Sequence, residues 1–224
     1  MCPLLRNVGL MVAVTLGLAL TPSGCRPAPS GKPARPVSPL SGAIVFFGDS
    51  ITRGMGLPED QAFPALVGKR LAQQGHDFHC INAGVSGETT AEGLRRVQRY
   101  LEPAPLLAMV ELGANDLFRG VDRRRSHANL VGIVEAFQSV GTKVVVAGTS
   151  FPGLHPAHDL AMQHTYERVA RDTGALLIPD LMAGVAGAPE LNLPDGIHPN
   201  AAGQARLAQN AWPFIELVIG ELGR

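Results

Sequence analysis

The sequence predicts an α/β protein: one domain on a five-stranded parallel sheet with helices on both faces. Three observations predict it. From residue 43 onward, short apolar runs alternate with amphipathic stretches of helical length. The apolar runs are continuous rather than alternating, as strands buried on both faces require. The 224 residues suit a single domain with room for a sizeable core.

The elements follow in chain order. Residues 43–47 are an unbroken apolar run between Gly42 and Gly48, read as the first strand. Residues 60–74 carry Phe63, Leu66, Val67 and Leu71 at helical spacing, and Gly75 closes the helix. Residues 78–81 read as a strand, and 90–101 as a helix with a strongly basic face. Strands are expected at 106–112, 143–147 and 175–178, with helices at about 127–139 and 159–173 between them. A last helix is expected over 200–222, and no internal repeat is visible.

The first 42 residues are of another kind. Residues 8–20 form an uncharged apolar run after Arg6, about thirteen residues long. That length makes a signal-peptide core but falls short of the roughly 20 needed to span a bilayer. Small residues follow, up to Ser23-Gly24-Cys25, a stretch that resembles the lipobox of bacterial lipoproteins. In such proteins the cysteine becomes the lipidated first residue of the mature chain. Pro22 departs from the pattern, where Leu is usual. The expected division is therefore a lipoprotein-type signal peptide at 1–24, a tether at 25–42 and the α/β domain at 43–224. An ordinary secreted protein cleaved nearby and a retained membrane anchor are the competing readings. The tether has prolines at 27, 29, 33, 36 and 39 with no apolar periodicity, which suits an extended spacer. Its basic charges would favour an anionic lipid surface.

The 19 basic and 19 acidic side chains sum to zero, but unevenly. No Asp or Glu precedes Asp49, whereas Arg6, Arg26, Lys32 and Arg35 do. The body keeps 15 basic against 19 acidic residues, about −4 at ordinary ionisation. This balance excludes a nucleic-acid binder, and the 46% hydrophobic content excludes a disordered chain. Cys2, Cys25 and Cys80 are too few and too scattered for a disulfide framework or a four-cysteine zinc site. Cys80 lies in an apolar run and reads as a buried, inert thiol.

Ligands of open parallel sheets bind beyond the carboxyl ends of the strands. The polar clusters there are Gly48-Asp49-Ser50, Asn82-Ala83-Gly84 and Gly113-Ala114-Asn115-Asp116, with Asp195-Gly196-Ile197-His198 before the final helix. A serine hydroxyl attacks a carbonyl only when a base takes its proton, and histidine is the usual base near neutral pH. Of seven histidines, His198 has a carboxylate three residues away in a tight, glycine-containing loop. Asp195 can accept its Nδ1 proton and direct Nε2 at Ser50. Pro199 keeps His198 out of the following helix, which Asn200 can cap. The Ser50 N–H, the Gly84 N–H and the Asn115 amide are candidate donors to an oxyanion. Taken singly, each of these residues also fits a plain turn, cap or loop role.

Phe47-Gly48-Asp49-Ser50-Ile51-Thr52-Arg53-Gly54, Asn82-Ala83-Gly84-Val85-Ser86-Gly87, Glu111-Leu112-Gly113-Ala114-Asn115-Asp116 and Asp195-Gly196-Ile197-His198-Pro199-Asn200 resemble the blocks of the GDSL, or SGNH, hydrolases, in order and in spacing. The resemblance implies a three-layer α/β/α sandwich of flavodoxin-like type around a five-stranded parallel sheet. It implies Ser50 as nucleophile and first oxyanion donor, Gly84 and Asn115 as the other donors, His198 as base and Asp195 as its orienting acid. The flanking residues look most like the bacterial arylesterase, thioesterase and lysophospholipase branch, which takes acyl esters and thioesters and needs no metal or other cofactor.

Rival motifs are weaker. Gly84-Val85-Ser86-Gly87 has the wrong spacing for a nucleophile elbow. Gly54-Met55-Gly56 lacks the third glycine of a dinucleotide fingerprint, and no phosphate-binding loop of Walker type occurs. His155-Pro156-Ala157-His158-Asp159 has no partner at metal-ligand spacing, so no metal is expected. Arg123-Arg124-Arg125 reads as a solvated face. The expectation is thus an exported bacterial envelope enzyme, lipid-anchored through Cys25, hydrolysing a small-molecule or lipid ester, with no nucleic-acid or protein partner. A secreted or periplasmic soluble form is the alternative location. The alternative functions are a carbohydrate O-acetylesterase and a non-catalytic lipoprotein that binds lipid or glycan.

Overall fold

Five strands form one parallel sheet in the order β2-β1-β3-β4-β5. They are β1 (Ser41–Gly48), β2 (Asp77–Gly84), β3 (Leu107–Glu111), β4 (Lys143–Ala147) and β5 (Leu176–Ile178). The computed structural model describes residues 41–151 and 156–223. The predicted signal peptide, Cys2, Cys25, nearly all of the tether and His155 lie outside them.

The helices are α1 (Ser50–Arg53), α2 (Phe63–Gln73), α3 (Thr90–Arg96), α4 (Ala114–Phe118), α5 (Arg123–Ser139), α6 (Pro156–Thr173) and α7 (Ala201–Leu222). Alternate residues of β1 sort the core into two layers, as the two-residue period of a strand dictates. Ile44 and Phe46 pack with Val67 and Leu71 of α2 and with Leu207, Trp212 and Ile215 of α7. Val45 and Phe47 face the other way, onto Leu130, Ile133 and Phe137 of α5 and Val169 of α6. The expected sheet covered on both faces is what forms.

Two boundaries differ instructively. The expected helix at 90–101 is α3 as far as Arg96, then a 3₁₀ turn over Val97–Tyr100. Its expected basic face is also broken, because Arg96 turns inward and is buried. Helix α5 starts at Arg123, ahead of its apolar periodicity, because the Asp122 side chain accepts the Arg124 N–H at 2.9 Å. Arg123, Arg124 and Arg125 are exposed there, as expected of a solvated face. Cys80 is half-buried, and burial pushes its thiol up to about 11, so it stays protonated at neutral pH. Among the described residues, no helix is long and apolar enough to cross a membrane.

The chain runs from β1 outward to β2, then returns across β1 to β3 and continues the other way. That reversal opens a crevice beyond the carboxyl ends of β1 and β3.

Candidate active site

The crevice is built by loops that short-range forces hold in place. Strand β1 ends at Gly48, and the Asp49 side chain caps α1 by accepting the Ile51 N–H at 3.0 Å. Ser50 therefore opens a helix, with its residue 8% exposed and its hydroxyl facing the crevice. The loop before α7 is tied on both sides. The Leu193 N–H donates to His198 O at 2.7 Å, and the Asn200 N–H to Leu191 O at 2.9 Å. Gly196 turns with φ +70°, a left-handed conformation suited to glycine. Asn200 caps α7 as expected, its Oδ1 accepting from Ala202 and Gly203, each at 3.0 Å.

These loops bring three predicted residues into line. His198 Nε2 lies 2.9 Å from Ser50 Oγ, and His198 Nδ1 lies 2.8 Å from Asp195 Oδ2. The other Asp195 oxygen accepts the backbone N–H groups of Ile197 at 2.9 Å and His198 at 3.0 Å. Desolvation acts to raise the Asp195 carboxyl, but those two N–H groups and the His198 ring outweigh it and hold it at about 2. An ionised Asp195 accepts a proton-bearing Nδ1, which leaves the Nε2 lone pair directed at the serine.

Of the three predicted oxyanion donors, Ser50 and Asn115 line the cavity over the serine, and Gly84 lies against the α1 backbone. The Asn115 amide nitrogen lies 3.0 Å from both Asp49 Oδ2 and Glu88 O, so both its hydrogens have acceptors in the unliganded site. The Gly84 N–H donates to Asn82 Oδ1 at 3.1 Å. Gly84 also sits directly beneath the α1 backbone: a Cβ there would collide with Arg53 N and come within 2.7 Å of Arg53 Cα. Only glycine permits that approach.

Behind the serine lies a pair of carboxylates whose roles sequence reasoning missed. Glu111 and Asp49 are both fully buried. Glu111 Oε2 accepts from Thr52 Oγ1 at 2.7 Å, Thr52 N at 3.3 Å and Asp49 N at 3.4 Å. Burial raises both carboxyls, Asp49 to about 7 and Glu111 well above the ordinary range, the second also because Asp49 is beside it. Asp116, given no role of its own in the sequence reading, ties α4 to α3 and α5: its carboxylate accepts Thr90 N at 2.8 Å, Thr90 Oγ1 at 2.6 Å and Ser126 Oγ at 2.9 Å. A carboxylate closing the otherwise apolar strand β3 is the signal that Glu111 offered.

A cavity of about 110 Å³ opens over the serine, lined by Asp49, Ser50, Ile51, Ala114, Asn115, Phe118, Phe151, Ile197 and His198. The Phe118 and Phe151 rings lie 5.2 Å apart at 58° and form an aromatic wall. The larger open cleft of about 670 Å³ bordered by α5 and α6 contains none of the predicted site residues. Among the described residues no cluster of His, Cys, Asp or Glu could hold a metal ion.

Comparison with known proteins shows the family and the fold. Residues 46–206 match the family described as GDSL-like Lipase/Acylhydrolase. Esterase TesA of Pseudomonas aeruginosa is 37% identical over 175 residues, 77% of this chain and 87% of that protein. An arylesterase of Vibrio mimicus is 30% identical over 174 residues, with 77% and 87% covered. The crystal structure of TesA superposes with a TM-score of 0.76 at 36% identity, covering 79% of this chain and 99% of that one.

Proposed function

The chain belongs to the GDSL-like Lipase/Acylhydrolase family, and from that premise we propose that it is a serine esterase working through Ser50, His198 and Asp195. The observation that carries the reading is the unbroken relay from Asp195 Oδ2 through His198 to Ser50 Oγ, 2.8 and 2.9 Å, opening onto an apolar cavity. The names of the relatives, an esterase and an arylesterase, support the same substrate class.

His198 Nε2 takes the Ser50 proton as Oγ forms a bond to the carbonyl carbon of an acyl ester or thioester. The carbonyl π electrons move onto oxygen, giving a tetrahedral oxyanion. That oxyanion draws N–H groups from Ser50, Gly84 and Asn115. Gly84 donates to Asn82 Oδ1 and Asn115 to Asp49 Oδ2 and the Glu88 carbonyl, and a full negative charge is a far better acceptor than the neutral Glu88 carbonyl and Asn82 amide oxygens. The exchange is therefore favoured most when the charge has developed, which is the condition for lowering a barrier. The tetrahedral species then collapses, and the alcohol or thiol departs with the proton from His198. Water, deprotonated by the same nitrogen, attacks the acyl-enzyme and releases the acid.

The wall of Ile51, Phe118, Phe151 and Ile197 suits the apolar acyl portion of the substrate. Ser23-Gly24-Cys25, after an apolar run of signal-peptide length, supports lipidation at Cys25 and attachment of the domain to an envelope membrane. Hydrolysis of p-nitrophenyl acyl esters, with a fluorophosphonate probe on the same samples, tests the enzymatic reading. Activity and labelling both vanish in Ser50→Ala while the fold persists; a fully active Ser50→Ala overturns the mechanism. Incorporation of a fatty-acid analogue that is lost in Cys25→Ala supports the anchor, and equal labelling of both forms refutes it.

A further inference from the structure

Buried charge is costly unless fully partnered, and replacing a buried ion pair by well-packed apolar residues is often neutral or stabilising. Arg96 and Glu88 are such a pair, with side chains 10% and 5% exposed. Arg96 Nε donates to both Glu88 oxygens, at 2.6 and 2.8 Å, and Nη2 also meets Oε2. The guanidinium carbon lies over the Phe47 ring, 3.9 Å from its centroid, a cation–π contact that adds to the ion pair.

What else Arg96 holds is informative. Nη2 also donates to Gly48 O at 3.2 Å and to Ala83 O at 2.9 Å. Gly48 immediately precedes Asp49-Ser50, and Ala83 immediately precedes Gly84. Glu88, the counter-ion, is the residue whose backbone carbonyl receives the Asn115 amide at 3.0 Å. The three oxyanion donors come from three separate elements, the start of α1, the end of β2 and α4, and one planar cation touches the chain beside two of them and binds the residue that holds the third.

We propose that Arg96, locked by Glu88, is the positioning residue of the oxyanion site, setting the mutual placement of the Ser50, Gly84 and Asn115 donors without touching substrate. The proposal rests on the esterase reading above. A lysine keeps the charge but not the planar fork, so it cannot span Gly48 O, Ala83 O and Glu88 together. Misplacement of catalytic groups by about 1 Å costs on the order of a hundredfold, and removal of one oxyanion donor about 10²–10³ in kcat.

The test measures kcat, KM and affinity for a trifluoromethyl ketone, which forms a tetrahedral oxyanion on the serine, in wild type, Arg96→Lys and the near-isosteric Glu88→Gln. In Arg96→Lys, kcat falls about ten- to hundredfold with KM within about twofold, and ketone affinity falls by the same factor as kcat. Glu88→Gln shows a smaller fall, about three- to tenfold, in the same two quantities. Circular dichroism and melting temperature identify the variants that are folded. Wild-type kcat in either folded variant overturns the proposal. So does a loss of kcat that ketone affinity does not follow, because a general structural defect would not track the oxyanion. A wild type inert toward every ester and unlabelled by fluorophosphonate overturns the esterase reading itself, whereas an active wild type with unaffected variants overturns only the role of Arg96.

Discussion

Ser50 and His198 are separated by 148 residues in the chain, yet Ser50 Oγ and His198 Nε2 lie 2.9 Å apart. The contact depends on the ring being held from its far side, where Asp195 Oδ2 meets Nδ1 at 2.8 Å. Replacing Asp195 by Asn removes the charge and permits the wrong histidine tautomer. Asp195→Asn is expected to lower kcat by about 10²–10⁴-fold with little change in KM. Steady-state kinetics on a soluble acyl ester check this, and a variant within twofold of wild type would show that Asp195 does not orient the ring.

Asn115 is expected to behave differently from the relay. Its amide bridges Asp49 and Glu88 in the resting site, so Asn115→Ala leaves the nucleophile and base untouched while removing one donor to the oxyanion. The expected loss is about 10²–10³ in kcat, with fluorophosphonate labelling of Ser50 slowed rather than abolished. Undiminished kcat in the folded variant would remove Asn115 from the site.

How much of this was legible in the sequence depends on range. The strands were, because residues such as Ile44 to Phe47 are apolar without interruption, and the Asp195–His198 pair was, because its members stand only three positions apart. Helices α1 and α4 were not, since one turn is too short to show a 3.6-residue period. Arg96, Glu88 and Glu111 are charged residues that composition assigns to solvent. Their burial is made tolerable by partners that only the fold brings together, Glu88 eight residues from Arg96 and Thr52 fifty-nine from Glu111, and neither spacing is a local signature. The aromatic wall was hidden for the same reason, since Phe118 ends α4 and Phe151 lies in the segment after β4.

That wall predicts substrate range. Phe118 is 37% exposed, so truncating it opens the cavity at its rim without hollowing the core. Phe118→Ala is expected to shift the preferred p-nitrophenyl ester toward longer acyl chains, seen as a changed ratio of kcat/KM across a chain-length series. An unchanged ratio would place the acyl chain elsewhere.

The Asp49–Glu111 pair predicts how stability changes with pH. Burial raises Asp49 from an ordinary 3.8 to about 7 and raises Glu111 well above its usual range. Between those values the native state holds protons that the unfolded chain has already released, so stability falls as pH rises through about 4 to 7. Asp195 has the opposite sign: held at about 2, it contributes stability that is present above pH 4 and is lost only as pH falls toward 2. Urea unfolding at pH 5 and pH 8 is therefore expected to show wild type weaker at pH 8. Glu111→Gln keeps the side-chain shape and an acceptor for Thr52 while removing one of the two neighbouring carboxyls. It should narrow the difference between the two pH values, partly by removing its own titration and partly by letting Asp49 ionise more easily without a carboxylate beside it. Equal pH 5-to-pH 8 differences in wild type and Glu111→Gln would mean that the pair does not carry the pH dependence.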